Sequence, residues 1–276
     1  MLKQRVITAV ALLALMAVVL GSGSLLAFHL TLAVFFGAAC WEALRLFGVR
    51  RAVPLAIVAA VLLPWLADRA PSEWVPLAAL CVLLWALRFA PALKFGLPPV
   101  TGSRGALFTA IYLLALFGCF ISIAALWQRS VMFMVSAMAI VWVADIGAYF
   151  AGRAFGRHKL APSISPGKSW EGVAGGMLAV LAIGAAAALS PSLADSFPAQ
   201  LLARYGWPLW IAMICVMVGA SVAGDLFESM MKRRAGIKDS SNLLPGHGGV
   251  LDRIDALIPT MPLAFLLSSQ MAPAFR

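Results

Sequence analysis

Apolar residues in this chain gather into long blocks instead of alternating with polar ones. Nine blocks can be marked, at roughly 5–20, 25–41, 53–67, 74–90, 106–127, 131–151, 173–190, 207–228 and 252–268, with short polar joints between them. A helix that crosses a bilayer core needs about 20 mainly apolar residues. The pattern therefore predicts an all-α, polytopic integral membrane protein with about nine transmembrane helices, the shorter ones extending into the interface. Met1–Arg5 followed by Val6–Leu20 has the outline of a signal peptide. Gly21–Ser24 leads straight into a second apolar run, Leu25–Cys40, so a retained first helix is expected.

Composition sharpens this reading. The chain of 276 residues is 63% hydrophobic and 12% charged, with mean hydropathy +0.96. Soluble domains carry about 25% charged residues, so a soluble fold is excluded. A net charge of +10 would suggest nucleic acid in a soluble protein. Here the placement of the cations explains it, and no nucleic-acid partner is expected. With the N-terminus in the cytoplasm and joints assigned alternately, Lys3 and Arg5 begin a cytoplasmic set, and only Arg69, Arg129, Arg204 and Arg276 of the 21 Lys and Arg fall outside. That asymmetry is the positive-inside rule. It puts the two charged loops, 152–172 and 229–251, on the cytoplasmic side together.

Residues 1–130 read as lipid-facing helices joined by chemically plain loops, and 131–276 as the half that carries chemistry. Cys40, Cys81, Cys119 and Cys215 show no metal or disulfide spacing and read as inert thiols. His29 reads as a satisfied helix histidine, and Glu42, Asp68, Glu73 and Asp195 as solvated loop residues. Trp74, Trp127 and Trp207 near block ends fit an interfacial belt.

The candidate chemistry lies in acids at the ends of apolar blocks: Asp145, Asp225, Glu228, Asp252 and Asp255. A carboxylate at the bilayer centre costs about 2.5–3.5 kcal/mol on insertion scales, so such groups are paired, hydrated or metal-bound. Asp225 and Glu228 are spaced i,i+3, as are Asp252 and Asp255, so each pair shares a helix face. Two such ends brought together would offer oxygens to a hard cation such as Mg²⁺. The plainer alternative is that Arg234, Arg253 and Lys238 neutralise them as structural ion pairs. Pro245-Gly246-His247-Gly248-Gly249, before the last block, can let backbone N–H groups approach a phosphate, or can simply form a tight turn. Lys232, Arg233, Arg234 and Lys238 are phosphate ligands or a topology signal.

The stretch Asp145–Gly172 adds a cationic, hydroxyl-rich loop with Lys159, Ser163, Ser165, Lys168 and Ser169, and Ser165-Pro166 is a candidate helix start. Gly167-Lys168-Ser169 ends like a P-loop, but that motif needs a glycine where Pro162 stands, so it is rejected. Intramembrane acids also mark cation transporters. A transport path, however, places them near the midplane with access from both faces.

Taken together, Ser229, Lys232-Arg233, Lys238-Asp239, Pro245, His247-Gly248-Gly249, Asp252-Arg253 and Asp255 resemble the signature of the CDP-diacylglycerol synthases, also called phosphatidate cytidylyltransferases. Asp225 fits the acidic position just upstream, and Ser165-Pro166, Lys168 and Glu171-Gly172 are similar to a second recurring block. The resemblance implies transfer of CMP from CTP to phosphatidate, giving CDP-diacylglycerol and pyrophosphate at the bacterial inner membrane. It further implies Mg²⁺, a monovalent cation such as K⁺, and a homodimer. On that basis Asp225, Asp252 and Asp255 would hold metal, with Lys238 and Asp239 beside them as catalytic residues. Ser165, Lys168, Ser169, Ser229, Lys232, Arg233, His247, Gly248, Gly249 and Arg253 would bind substrate. A polyprenol kinase or an archaeal-type lipid cytidylyltransferase would share this nucleotide apparatus.

Overall fold

A computed structural model describes residues 2–271; Met1, Arg276 and the side chains of Lys3 and Arg5, which entered the charge asymmetry, lie outside the described residues. Helices α1 (Leu2–Gly21), α2 (Leu25–Leu46) and α3 (Ala52–Ala67) lead to α4 (Pro71–Leu84). From α4 the chain passes through a π-helical turn, Trp85–Phe89, into α5 (Ala90–Phe95). Then come α6 (Gly102–Arg129), α7 (Val131–Phe155), a hairpin of β1 (Lys159–Ala161) and β2 (Ser165–Ser169), and α8 (Trp170–Leu189). The long α9 (Phe197–Arg234), kinked at Gly206 where φ is +69°, a single turn α10 (Leu251–Ile254) and α11 (Leu257–Ser268) follow.

Helical segments form at all nine apolar blocks. Leu25–Leu46, Pro71–Phe95, Gly102–Arg129, Val131–Phe155, Trp170–Leu189 and Phe197–Arg234 are long and apolar enough to cross a membrane. Val6–Gly21, Ala52–Ala67 and Leu257–Ser268 are apolar but shorter. The protein is thus an all-α, multi-pass membrane protein, with six spans supported by length and composition where nine are expected.

Three boundaries differ from expectation, each for a local reason. Ser165-Pro166 does not start a helix. Residues 165–169 pair antiparallel with β1, in the register Lys159↔Ser169 and Ala161↔Ser165, and the helix begins at Trp170. Ser169 is its N-cap, accepting a hydrogen bond from the Gly172 amide at 3.2 Å. Next, α9 runs beyond the expected end at 228 to Arg234, so Ser229–Arg234 are helical and not loop. Its last turn carries Lys232, Arg233 and Arg234, which suit the negative end of the helix dipole. Gly236, at φ +71°, and Ile237 then cap the carbonyls of Arg233 and Lys232. Finally, the block at 252–268 is not one helix. Pro259 has no N–H to give the Asp255 carbonyl, so the chain makes one turn, breaks at Asp255–Ala256 and restarts at Leu257.

Close helix contacts place the functional elements. α7 packs along α8 through small residues: a Cβ on Gly176 would lie 2.5 Å from the Ala144 carbonyl oxygen. A Cβ on Gly224 of α9 would meet Pro259, which lets α9 lie directly against the 255–259 backbone. Phe227 of α9 is fully buried among Phe89, Phe108 and Tyr112, with ring centroids 5.1–6.1 Å away. Rings at that spacing add about 0.5–1.5 kcal/mol per pair beyond area burial. They anchor the C-terminal end of α9, where Asp225 and Glu228 project.

Candidate active site

Two ion-pair centres flank this end of α9. At the first, Lys168 from β2 pairs with Asp225, whose Oδ1 also accepts the Ser229 hydroxyl at 3.3 Å. Both charged groups line a cleft of about 380 Å³ between α7, α8, α9 and the hairpin. Asp145, Tyr149, Arg153 and Ser169 line it too, while Val218 and Val222 carry it down toward the apolar part of α9. Ligand pockets usually fall at about 300–1,000 Å³. A polar mouth over an apolar floor suits an amphiphile with an anionic head.

At the second centre, Lys232 sits between Glu228, whose side chain is fully buried, and Asp252 Oδ1, 2.5 Å away. The other oxygen of Asp252 accepts three bonds: from the Ser240 amide and hydroxyl, each at 2.9 Å, and from the Gly249 amide at 2.8 Å. Burial pushes the Asp252 carboxyl up, but the bonds from Lys232 and Gly249 outweigh it and hold it below the usual range. Asp255 goes the other way: burial, then the charge of Asp225, raise it. Asp255 Oδ1 accepts the neighbouring Ala256 amide at 2.7 Å.

Asp225, Glu228 and Asp252 are therefore neutralised by Lys168 and Lys232, and not by Arg234, Arg253 or Lys238. Arg234 donates to the Pro98 carbonyl at 3.1 Å and lies over the Phe47 ring. Arg253 donates to the His247 carbonyl at 2.6 Å, closing the turn. Lys238 and Asp239 stand exposed, with no side-chain partner among the described residues. Arg233 reaches the Ile164 carbonyl at 3.4 Å, tying α9 to the hairpin. Ser165 lies in β2, while the Ser169 hydroxyl serves as the α8 cap at the cleft wall. His247 presents a buried Nδ1 with no hydrogen-bond partner among the described residues.

The glycines after His247 have a packing role. Gly248 takes φ +81°, a region that favours glycine. A Cβ there would press on Asp252 Oδ2, and one on Gly249 would strike Ser240 Oγ and Glu42 Oε1.

That last contact corrects a sequence expectation. Glu42 is not a solvated loop residue: it lies within α2 and is fully buried. Its carboxylate accepts from Ser240 Oγ (3.2 Å), Ser241 Oγ (2.5 Å), the Val250 amide (3.1 Å) and the Leu251 amide (2.6 Å). The only sequence signal was its place one residue past an apolar block that in fact continues to Leu46. His29 is buried as expected, but its Nε2 has no partner among the described residues.

Among the described residues, no three acids converge as a ready-made metal cage. The donor set still fits Mg²⁺. It consists of carboxylate oxygens only, and both Asp225 and Asp252 already point at a cation, the ammonium of Lys168 or Lys232. Mg²⁺ in nucleotide sites is held by one or two carboxylates plus substrate phosphates.

Comparison with known sequences bears on the same residues. A profile described as the Cytidylyltransferase family matches residues 3–270. A phosphatidate cytidylyltransferase of Pseudomonas aeruginosa is 44% identical over 277 aligned residues, which cover 95% of each chain. One from Haemophilus influenzae is 50% identical over 123 residues (45% of this chain and 41% of that one). One from Bacillus subtilis is 39% identical over 158 residues (57% and 55%).

Proposed function

This chain belongs to the cytidylyltransferase family and transfers CMP from CTP to phosphatidate, and we propose that it does so at the cleft between α7, α8, α9 and the hairpin. The observation that carries this location is the pairing of Lys168 with Asp225 beside that of Lys232 with Asp252. Two lysine–acid pairs thus stand along the C-terminal end of α9, and it is there that a lipid phosphate and a soluble nucleotide would both arrive.

In the reaction, a phosphate oxygen of phosphatidate attacks the α-phosphorus of CTP. The bond from that phosphorus to the bridging oxygen breaks, and pyrophosphate leaves with the electron pair. Both reactants are anions, so positioning and charge neutralisation carry most of the catalysis. Asp225, Asp252 and Asp255 would hold Mg²⁺, which when bound offsets charge on the attacking and leaving oxygens. Lys168 and Lys232 would offset the negative charge of the substrate phosphates. Arg233, tied to the hairpin through the Ile164 carbonyl, and Lys238 and His247 of the signature segment would contact the triphosphate. The apolar floor at Val218 and Val222 would accept the start of the acyl chains.

The reading extends to a monovalent cation such as K⁺ beside Mg²⁺ and to a homodimer, both supported by the family resemblance alone. It places the chain in the bacterial inner membrane with its N-terminus and active site facing the cytoplasm. The Lys and Arg asymmetry between alternate joints supports that orientation.

The test is direct. The protein is purified in detergent and given phosphatidate, Mg²⁺ and labelled CTP. Cytidine label entering the lipid phase with stoichiometric pyrophosphate is expected. Label appearing only when CTP carries it on the γ-phosphate would identify a kinase and overturn the assignment.

A further inference from the structure

Among the described residues, Glu42 is the one acid of the N-terminal helices that reaches the signature loop. A carboxylate buried in an apolar bundle must be compensated, and among the described residues no Lys or Arg lies within ion-pair distance of it. All four of its hydrogen-bond donors belong to residues 240–251, about 200 positions along the chain. Two are backbone amides, Val250 and Leu251, which lead into the turn bearing Asp252.

A second link runs through Ser240. Its hydroxyl oxygen lies 3.2 Å from Glu42 Oε2 and 2.9 Å from Asp252 Oδ2. One hydroxyl proton faces two carboxylates, so the position of Asp252 is coupled to that of Glu42 through a single atom. Gly249 completes the nest, since a side chain there would enter the space held by Ser240 and Glu42.

We propose that Glu42 is a positioning residue for CMP transfer: from α2 it clamps the 240–251 loop and thereby sets where Asp252 stands in the active site. The proposal rests on the functional reading above. It makes α2 part of the catalytic apparatus and not only a lipid-facing helix.

Glu42→Gln keeps the size of the side chain but turns one acceptor into a donor, which must then face the Leu251 amide or the Ser241 hydroxyl. In detergent-purified protein, kcat is expected to fall about tenfold or more, with KM for phosphatidate within about twofold, as for a group acting only on the transition state. Amide hydrogen exchange should rise across 240–251 and stay unchanged in the other helices. A merely structural role would lower yield and thermal midpoint while leaving kcat per folded molecule, and the loop's exchange, as in the unaltered protein. That result would overturn the proposal.

If Glu42→Gln does not fold, Ser241→Ala carries the test by removing one of the four donors. A local rise in exchange with a kcat loss of about threefold or more is expected. Unchanged exchange and turnover in Ser241→Ala would sink the idea. An unaltered protein that fails to transfer CMP would instead remove the functional reading, and the exchange comparison would still decide whether Glu42 holds the loop.

Discussion

Asp252→Asn tests the second ion-pair centre most sharply. One oxygen of Asp252 faces Lys232 at 2.5 Å, and the other gathers the Ser240 amide, the Ser240 hydroxyl and the Gly249 amide. Asparagine has one acceptor oxygen. If it keeps the three loop donors, its amide hydrogens point at the Lys232 ammonium; if it keeps Lys232, they point at three donors. The first arrangement sacrifices less, so the expected structural loss is the Lys232–Asp252 attraction. The Asp252 and Lys232 side chains are 4% and 12% exposed, so solvent screens the pair little. Removing one partner of a buried pair costs about 3–5 kcal/mol, and the Glu228 contact retained by Lys232 reduces this to about 2–3 kcal/mol. That penalty should lower the thermal midpoint in detergent while leaving expression and membrane insertion intact. Turnover should fall much further, about 10³-fold, equivalent to about 4 kcal/mol, because a carboxylate proposed to hold Mg²⁺ for the reacting phosphates is gone. The assay is CMP incorporation into lipid at saturating Mg²⁺, normalised to folded protein. Turnover within threefold of the unaltered enzyme would refute any role for Asp252 at the reaction centre.

Other outcomes follow from the same geometry. Lys168→Ala, which unpairs Asp225 at a partly exposed site, should raise KM for CTP about tenfold with little change in thermal midpoint, and Lys168→Arg should recover part of it. Gly176→Val would drive a side chain into the Ala144 carbonyl and separate α7 from α8; a loss of about 1–3 kcal/mol in stability is expected, read as a lower melting temperature by fluorescence-detected size exclusion. Chelation with EDTA should abolish CMP transfer and Mg²⁺ should restore it, while activity that survives chelation would remove the metal assignment. A cysteine introduced at exposed Ile237 should react with an impermeant thiol reagent only in inside-out vesicles; labelling from the periplasmic face would reverse the proposed orientation.

Much of this protein was legible in one dimension, and much was not. Block length and hydropathy are local properties, so a sequence of apolar runs determines that helices form and roughly where they lie. The signature from Ser229 to Asp255 likewise identified the family, since spacing within one segment needs no fold to be read. Pairing is a different matter. That Lys168 and Lys232, and not Arg234 or Arg253, neutralise the acids depends on how β2 and α10 come to rest against α9. The break at Asp255 was available from Pro259 alone, but its consequence, Asp255 against Gly224, required two helices in contact. Glu42 shows the limit most clearly. Next to Trp41 it read as one more solvated acid; its four donors lie in a loop that only the folded bundle carries to it, and burial with satisfied hydrogen bonds is a property of that meeting and of no single segment.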